Sequence, residues 1–174
     1  VMALTGKSVF GMETRFDVHF GERTPAGLAF RREPASVIRS DGVQIYSERI
    51  DLNGDGVQEI VVTSVDFGVG TVIRALLART VGLDLGIYQM VDGAYPDRPA
   101  ITRKVTATVS LSEGDIFVPA ILAADVDGDG RKDLLVQESE DEMRVFAGIG
   151  GAGLFAERGQ KLKVPLPRDR EEFT

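Results

Sequence analysis

The sequence predicts an all-β protein, on three observations. Short aliphatic and β-branched runs recur along the 174 residues, separated by Gly, Asp-Gly and Pro turns. Two acidic segments, "DLNGDGVQE" at 51–59 and "DVDGDGRKD" at 125–133, each lead directly into an apolar run, "EIVVTSV" and "DLLVQES". A strand, Gly-rich turn, strand pattern also recurs on either side of these segments, which marks an internal repeat.

Composition narrows the class. With 43% hydrophobic and 27% charged residues, the chain is that of a globular protein long enough for one core. No apolar run approaches the roughly 20 residues of a membrane-spanning helix, so no membrane insertion is expected. The start, Val1-Met2, shows no charged segment followed by an apolar stretch and a small-residue cleavage site. The absence of cysteine excludes disulfides and thiolate metal sites. With 20 Lys and Arg against 27 Asp and Glu, the net charge of −7 argues against a nucleic-acid partner. Seven of those acids lie in the two acidic segments. Two divalent cations bound there would neutralise more than half of the net charge.

The elements follow in chain order. "FDVHFGERTPAGLAFRREPASVI", 16–38, reads as a strand, a Gly-rich turn with an Ala-Gly-Leu step, a polar stretch and a short strand. The first acidic loop and its strand follow. In "TVIRALLART", 71–80, Ile73, Leu76 and Leu77 fall at i, i+3 and i+4, which predicts a short inserted helix. Its expected role is to cover a sheet edge or rim rather than to bind a partner. "LGIYQMVDGAYPDRPAITRKV", 85–105, is a weaker copy of the first pattern, with Gly93-Ala94-Tyr95 at the turn. The second acidic loop comes next, and "MRVFAGIGGAGLFAERGQKLKV", 143–164, is a third copy. The phase of the repeat predicts that the chain opens partway through one unit. It stops, at "PRDREEFT", near where another acidic loop would begin.

Within each loop, positions 1, 3, 5 and 9 carry oxygen side chains and position 6 is glycine. These are Asp51, Asn53, Asp55 and Glu59 with Gly56, and Asp125, Asp127, Asp129 and Asp133 with Gly130. Alternate oxygen ligands converge on one ion where the chain curls tightly, and glycine permits the curl. The carbonyls of Val57 and Arg131, at position 7, can complete such a shell. All donors are hard oxygens, which selects Ca²⁺ over zinc or copper, and a protein-rich cage favours Ca²⁺ over Mg²⁺. An EF-hand is excluded: position 12 is Val62 or Val136 rather than an acid, and a strand follows instead of a helix. The competing view is of acidic surface turns that need no ion, since Asn, Asp and Gly favour turns on their own. Two nine-residue matches, each entering a strand, weigh against it.

Taken together, the D-x-[DN]-G-D-G-x-x-[DE] loop entering an aliphatic strand, and the later strand ending at a Gly-rich turn with Phe, resemble the FG-GAP or VCBS repeat. Such repeats occur in integrin α-subunit heads and in many bacterial secreted or surface proteins. The resemblance covers about residues 14–170. It implies a β-propeller in which each repeat forms a four-stranded blade. The expected organisation is one propeller segment: the end of a blade at 14–40, a blade with the first calcium loop at 43–106, and a blade with the second at 116–166. The resemblance makes Asp51, Asn53, Asp55 and Glu59 one Ca²⁺ site, and Asp125, Asp127, Asp129 and Asp133 another. Glu59 stands where Asp is commoner. Propellers close with roughly four to eight blades, so a part of a longer propeller is expected, with self-association through open strand edges.

Sharper motifs fail on context. "GIGGAG", 148–153, matches a dinucleotide fingerprint but lacks the helix, strand and distal acid that must follow. "TGKS", 5–8, lacks the upstream glycine of a phosphate loop. His19, the single histidine, has no nucleophile placed beside it by motif, and the run "QESEDEM" reads as a solvated turn. The functional expectation is a calcium-binding segment of an extracytoplasmic protein, acting as a binding or display scaffold for a protein or glycan. The alternatives are part of a carbohydrate-active propeller enzyme, such as a polysaccharide lyase, and a purely structural spacer.

Overall fold

The computed structural model describes residues 2–5, 12–66, 68–108, 120–139, 141–150 and 153–164. Among the described residues strands dominate, in three larger antiparallel sheets and two small hairpins, with one helix. The first sheet contains β1 (Met2–Thr5) and β2 (Glu13–Val18). A small hairpin of β3 (Gly21–Thr24) and β4 (Gly27–Phe30) then projects before β5 (Ser36–Asp41) returns to pair with β2. The second sheet is a four-stranded meander of β6 (Val43–Ile50), β7 (Glu59–Val65), β8 (Thr80–Tyr88) and β9 (Ile101–Thr108), with α1 (Val69–Ala78) between β7 and β8. The third contains β10 (Ile121–Ala124), β11 (Asp133–Gln137) and β12 (Glu142–Phe146). Another small hairpin, β13 (Gly148–Gly150) and β14 (Leu154–Phe155), precedes β15 (Gln160–Lys163), which pairs with β12.

The three copied sequence patterns therefore fall on one recurring piece of architecture. In each sheet a small excursion separates the last two strands; in the second it is a single bridge, Val91 to Ala94. Both acidic loops join the first two strands of a four-stranded sheet, β6 to β7 and β10 to β11.

Packing explains the continuous apolar run of β7, which is buried at all seven positions. A strand covered on both faces has no reason to alternate. One face carries Val61, which with Leu52, Leu85 and Ile87 packs on Leu134 and Val136 of the third sheet and on Leu154 and Phe155 of its hairpin. The other carries Ile60 and Val62, which with Tyr88 and Tyr95 pack on Phe16, Val18 and Ile38 of the first. Each such aliphatic side chain contributes about 1.5–3 kcal/mol when fully buried. A polar tie joins the second and third sheets: Arg103 on β9 donates to the carbonyls of Phe155 and Ala156 and lies 4.5 Å from the centre of the Phe146 ring.

The helix differs from expectation in its bounds. It spans 69–78, not 71–80, because Arg79 adopts the left-handed conformation (φ 52°, ψ 38°) and Thr80 already pairs with Thr108. The apolar stripe faces outward: Ile73, Leu76 and Leu77 are 49%, 64% and 83% exposed. The helix is seated instead through the small side chains Thr71, which is buried, and Ala75, which is half-buried. His19 follows β2 and its Nδ1 faces the Arg31 carbonyl at 3.0 Å. Residues 116–119 and 165–166 of the expected last unit lie outside the described residues, as do 6–8 of "TGKS", 151–152 of "GIGGAG", Glu140 and the terminal "PRDREEFT".

Candidate metal centre

The two loops are built by the same hydrogen bonds, position for position. The position-1 carboxylate accepts two backbone N–H groups: Asp51 from Gly54 and Gly56, Asp125 from Gly128 and Gly130, at 2.7 and 2.9 Å in both loops. The position-3 oxygen accepts the N–H of position 5: Asn53 from Asp55, Asp127 from Asp129. The position-5 carboxylate accepts the N–H of position 7: Asp55 from Val57, Asp129 from Arg131. The position-9 carboxylate reaches back to the N–H of position 2: Glu59 to Leu52 at 2.8 Å, Asp133 to Val126 at 2.9 Å. Glycine is required at positions 4 and 6, where φ is +77° and +82° in the first loop and +81° and +88° in the second.

Position 9 is the structural anchor of each loop. Glu59 and Asp133 are both 2% exposed, at the first residue of β7 and of β11. Asp133 also accepts the N–H of Gly148 at 2.8 Å, tying the loop to the start of β13. Burial, with the charges of Asp55 and Asp51 adding to it, pushes the Glu59 carboxyl above its usual range. A cation among those three carboxylates would oppose that shift.

The second loop comes closest to a preformed cation site. Ligand oxygens of Asp125, Asp127 and Asp133 all lie within 4.8 Å of one another. Three carboxylates at that separation hold a cation well and repel one another without it. The donor set is all oxygen, which suits a hard cation. Asp129, expected as a fourth ligand, is turned to the guanidinium of Arg131, which also donates to the Gly148 carbonyl at 3.0 Å. In the first loop Asn53 closes on Asp55 instead, donating from Nδ2 to the carboxylate at 2.9 Å. Among the described residues, Asp51, Asp55 and Glu59 do not form a comparable three-acid cluster. The expected sites are thus alike in backbone and unlike in how their side chains are gathered.

The loops also touch. Lys132 N–H donates to the Leu52 carbonyl at 3.1 Å, so the position-2 residue of the first loop is held at its N–H by Glu59 and at its carbonyl by the second loop. Tyr95 donates its hydroxyl to the Gln58 carbonyl, fixing the exit of the first loop. Leu52, Tyr95, Lys132 and Gly148 are the site residues that spacing did not reveal. Leu52, Lys132 and Gly148 act through backbone groups or packing and Tyr95 through its hydroxyl, none of which marks a ligand pattern; Tyr95 and Gly148 gave a signal only as parts of Gly-containing turns. At Gly148 a Cβ would stand 2.6 Å from the Lys132 carbonyl oxygen, so glycine is required where β13 meets the loop.

In comparisons with known proteins, the chain matches no family model and no curated protein.

Proposed function

We propose that this chain is a calcium-stabilised segment of a β-propeller of the FG-GAP/VCBS type, serving an extracytoplasmic protein as a scaffold that binds or displays a protein or glycan. The observation that carries the proposal is the equivalence of the two loops. Two segments 74 residues apart share every main-chain hydrogen bond of the curl, share positive-φ glycines, and occupy the same place between the first two strands of two sheets. The gathered carboxylates of the second loop support a divalent cation, and the oxygen-only donor set supports Ca²⁺.

On this proposal Asp125, Asp127 and Asp133 would hold one ion, and Asp51, Asn53, Asp55 and Glu59 would hold a second. Their role is to lock the β6–β7 and β10–β11 turns, and with them the stacking of the two sheets. At free calcium roughly 100-fold above Kd, an ion that binds only the folded chain stabilises it by about 2.7 kcal/mol per site. For extracellular modules, Kd is about 10⁻⁴–10⁻³ M. Such sites fill outside cells and stay empty at cytosolic calcium, which is the ground for the proposed location.

Thermal unfolding tests this. With both sites filled, the melting temperature should rise by about 10–20 °C over chelator, at ~2–4 °C per kcal/mol for a chain of this size. Magnesium at the same concentration should give a much smaller rise. Superimposable melts in calcium and chelator would count against an ion-stabilised fold.

A further inference from the structure

In both loops the position-5 carboxylate is clamped on both of its oxygens. Asp55 Oδ1 accepts the Val57 N–H at 2.7 Å, and its Oδ2 accepts from Asn53 Nδ2 at 2.9 Å. Asp129 Oδ1 accepts the Arg131 N–H at 2.8 Å, and its Oδ2 accepts from the Arg131 guanidinium. The backbone half of the clamp is the same in both loops, and the side-chain half is not. The first loop closes with a neutral amide from position 3, the second with a cation from position 7.

That cation is also held on its far side. Arg131 Nε donates to the Gly148 carbonyl at 3.0 Å. A Cβ on Gly148 would stand 3.1 Å from Arg131 Cβ, and one on Gly150 would stand 3.3 Å from Arg131 Cδ. The stem of Arg131 therefore lies along β13, where two glycines leave room for it. The guanidinium bridges Asp129 and the hairpin, while Asp125, Asp127 and Asp133 gather without Asp129.

We propose that Arg131 sets the cation affinity of the second loop: it is a resident counter-charge that competes with a bound ion for Asp129. This inference rests on the calcium reading of the loops and names the residue that tunes it. Without an ion, the guanidinium offsets part of the charge of four aspartates in nine residues. With an ion, Asp129 becomes a fourth carboxylate ligand only by leaving Arg131, so its recruitment costs a charge-assisted pair. The first loop has no charged opponent, since Val57 holds position 7 and Asn53 is neutral.

Calorimetric titration with Ca²⁺ tests this on four chelator-stripped chains: wild type, Arg131→Met, Asp129→Asn and the double variant. Arg131→Met should tighten one binding step by about tenfold, the share of one charge-assisted bond, and leave the other step unchanged. In the Asp129→Asn background the same change should alter affinity by less than about twofold. Arg131→Lys keeps the charge but loses the two-sided fork, and should tighten the same step by less. A second readout is thermal melting. In chelator Arg131→Met should melt below wild type, because the empty loop has lost its counter-charge, and saturating calcium should remove the difference. Unchanged affinity in Arg131→Met would overturn the proposal. Equal tightening with and without Asp129 would overturn it too, by assigning the effect to repulsion between guanidinium and ion. Calcium binding by none of the four folded chains would instead remove the calcium reading of the loops, and the proposal with it.

Discussion

Replacing Asp133 with alanine is expected to destabilise the protein by about 2–5 kcal/mol even in chelator. The carboxylate accepts the N–H groups of Val126 and Gly148, and its side chain is 2% exposed. Each donor left without a partner costs about 1–3 kcal/mol, and bonds to a charged acceptor lie at the upper end. Asp127→Ala provides the contrast: it is exposed and accepts one N–H, from Asp129 at 3.1 Å, so in chelator its loss should cost less than about 1 kcal/mol. Denaturant unfolding of both variants in chelator separates the anchor from the ligand. Equal, small losses would show that Asp133 anchors nothing.

The second large effect is expected at Gly42, where the chain crosses from β5 to β6. Its φ is +82°, and a Cβ there would lie 2.4 Å from the Val65 carbonyl oxygen. The obstacle is backbone at the end of a fully buried strand, so it cannot rotate away. Gly42 also donates to the Met12 carbonyl at 2.7 Å and accepts from Thr14 Oγ1 at 2.9 Å, so a shift of the corner would break both bonds. The left-handed conformation costs a non-glycine residue about 1–2 kcal/mol, and overpacking about 1–3 kcal/mol more. Gly42→Ala should therefore lose roughly 2–5 kcal/mol of unfolding free energy. Gly27→Ala is the control, since φ is +123° there but nothing lies within 4 Å. If Gly42→Ala unfolds no more readily than Gly27→Ala, the close approach to Val65 does not constrain the corner.

The all-β class and the position of both acidic loops were legible because their signals are local. Asx-Gly curls, β-branched runs and glycine turns each act within nine or ten residues. The strand and turn segments read at 16–38, 85–105 and 143–164 fall on strands separated by a small excursion in each sheet. The facing of α1 was not legible. The i, i+3, i+4 spacing of Ile73, Leu76 and Leu77 fixes a stripe but not which way it points, and the small pair Thr71 and Ala75 allowed the opposite seating. At the candidate site, residue types predicted the curl, yet not the choice of partner. Asp129 follows its neighbour Arg131, and Asn53 follows Asp55, because a nearby donor competes with any ion for the same carboxylate. Cross-loop ties such as Lys132 to Leu52 depend on the stacking of two sheets, which no short window of sequence contains.

Calorimetric titration of chelator-stripped protein with Ca²⁺, with Mg²⁺ as control, tests most directly whether these loops are ion sites or only turns. The account predicts two Ca²⁺ per chain, with the tighter site lost in Asp127→Asn and little heat from Mg²⁺. No calcium binding by a folded wild-type chain would contradict it, and the shared hydrogen bonds of the two loops would then be all that holds them.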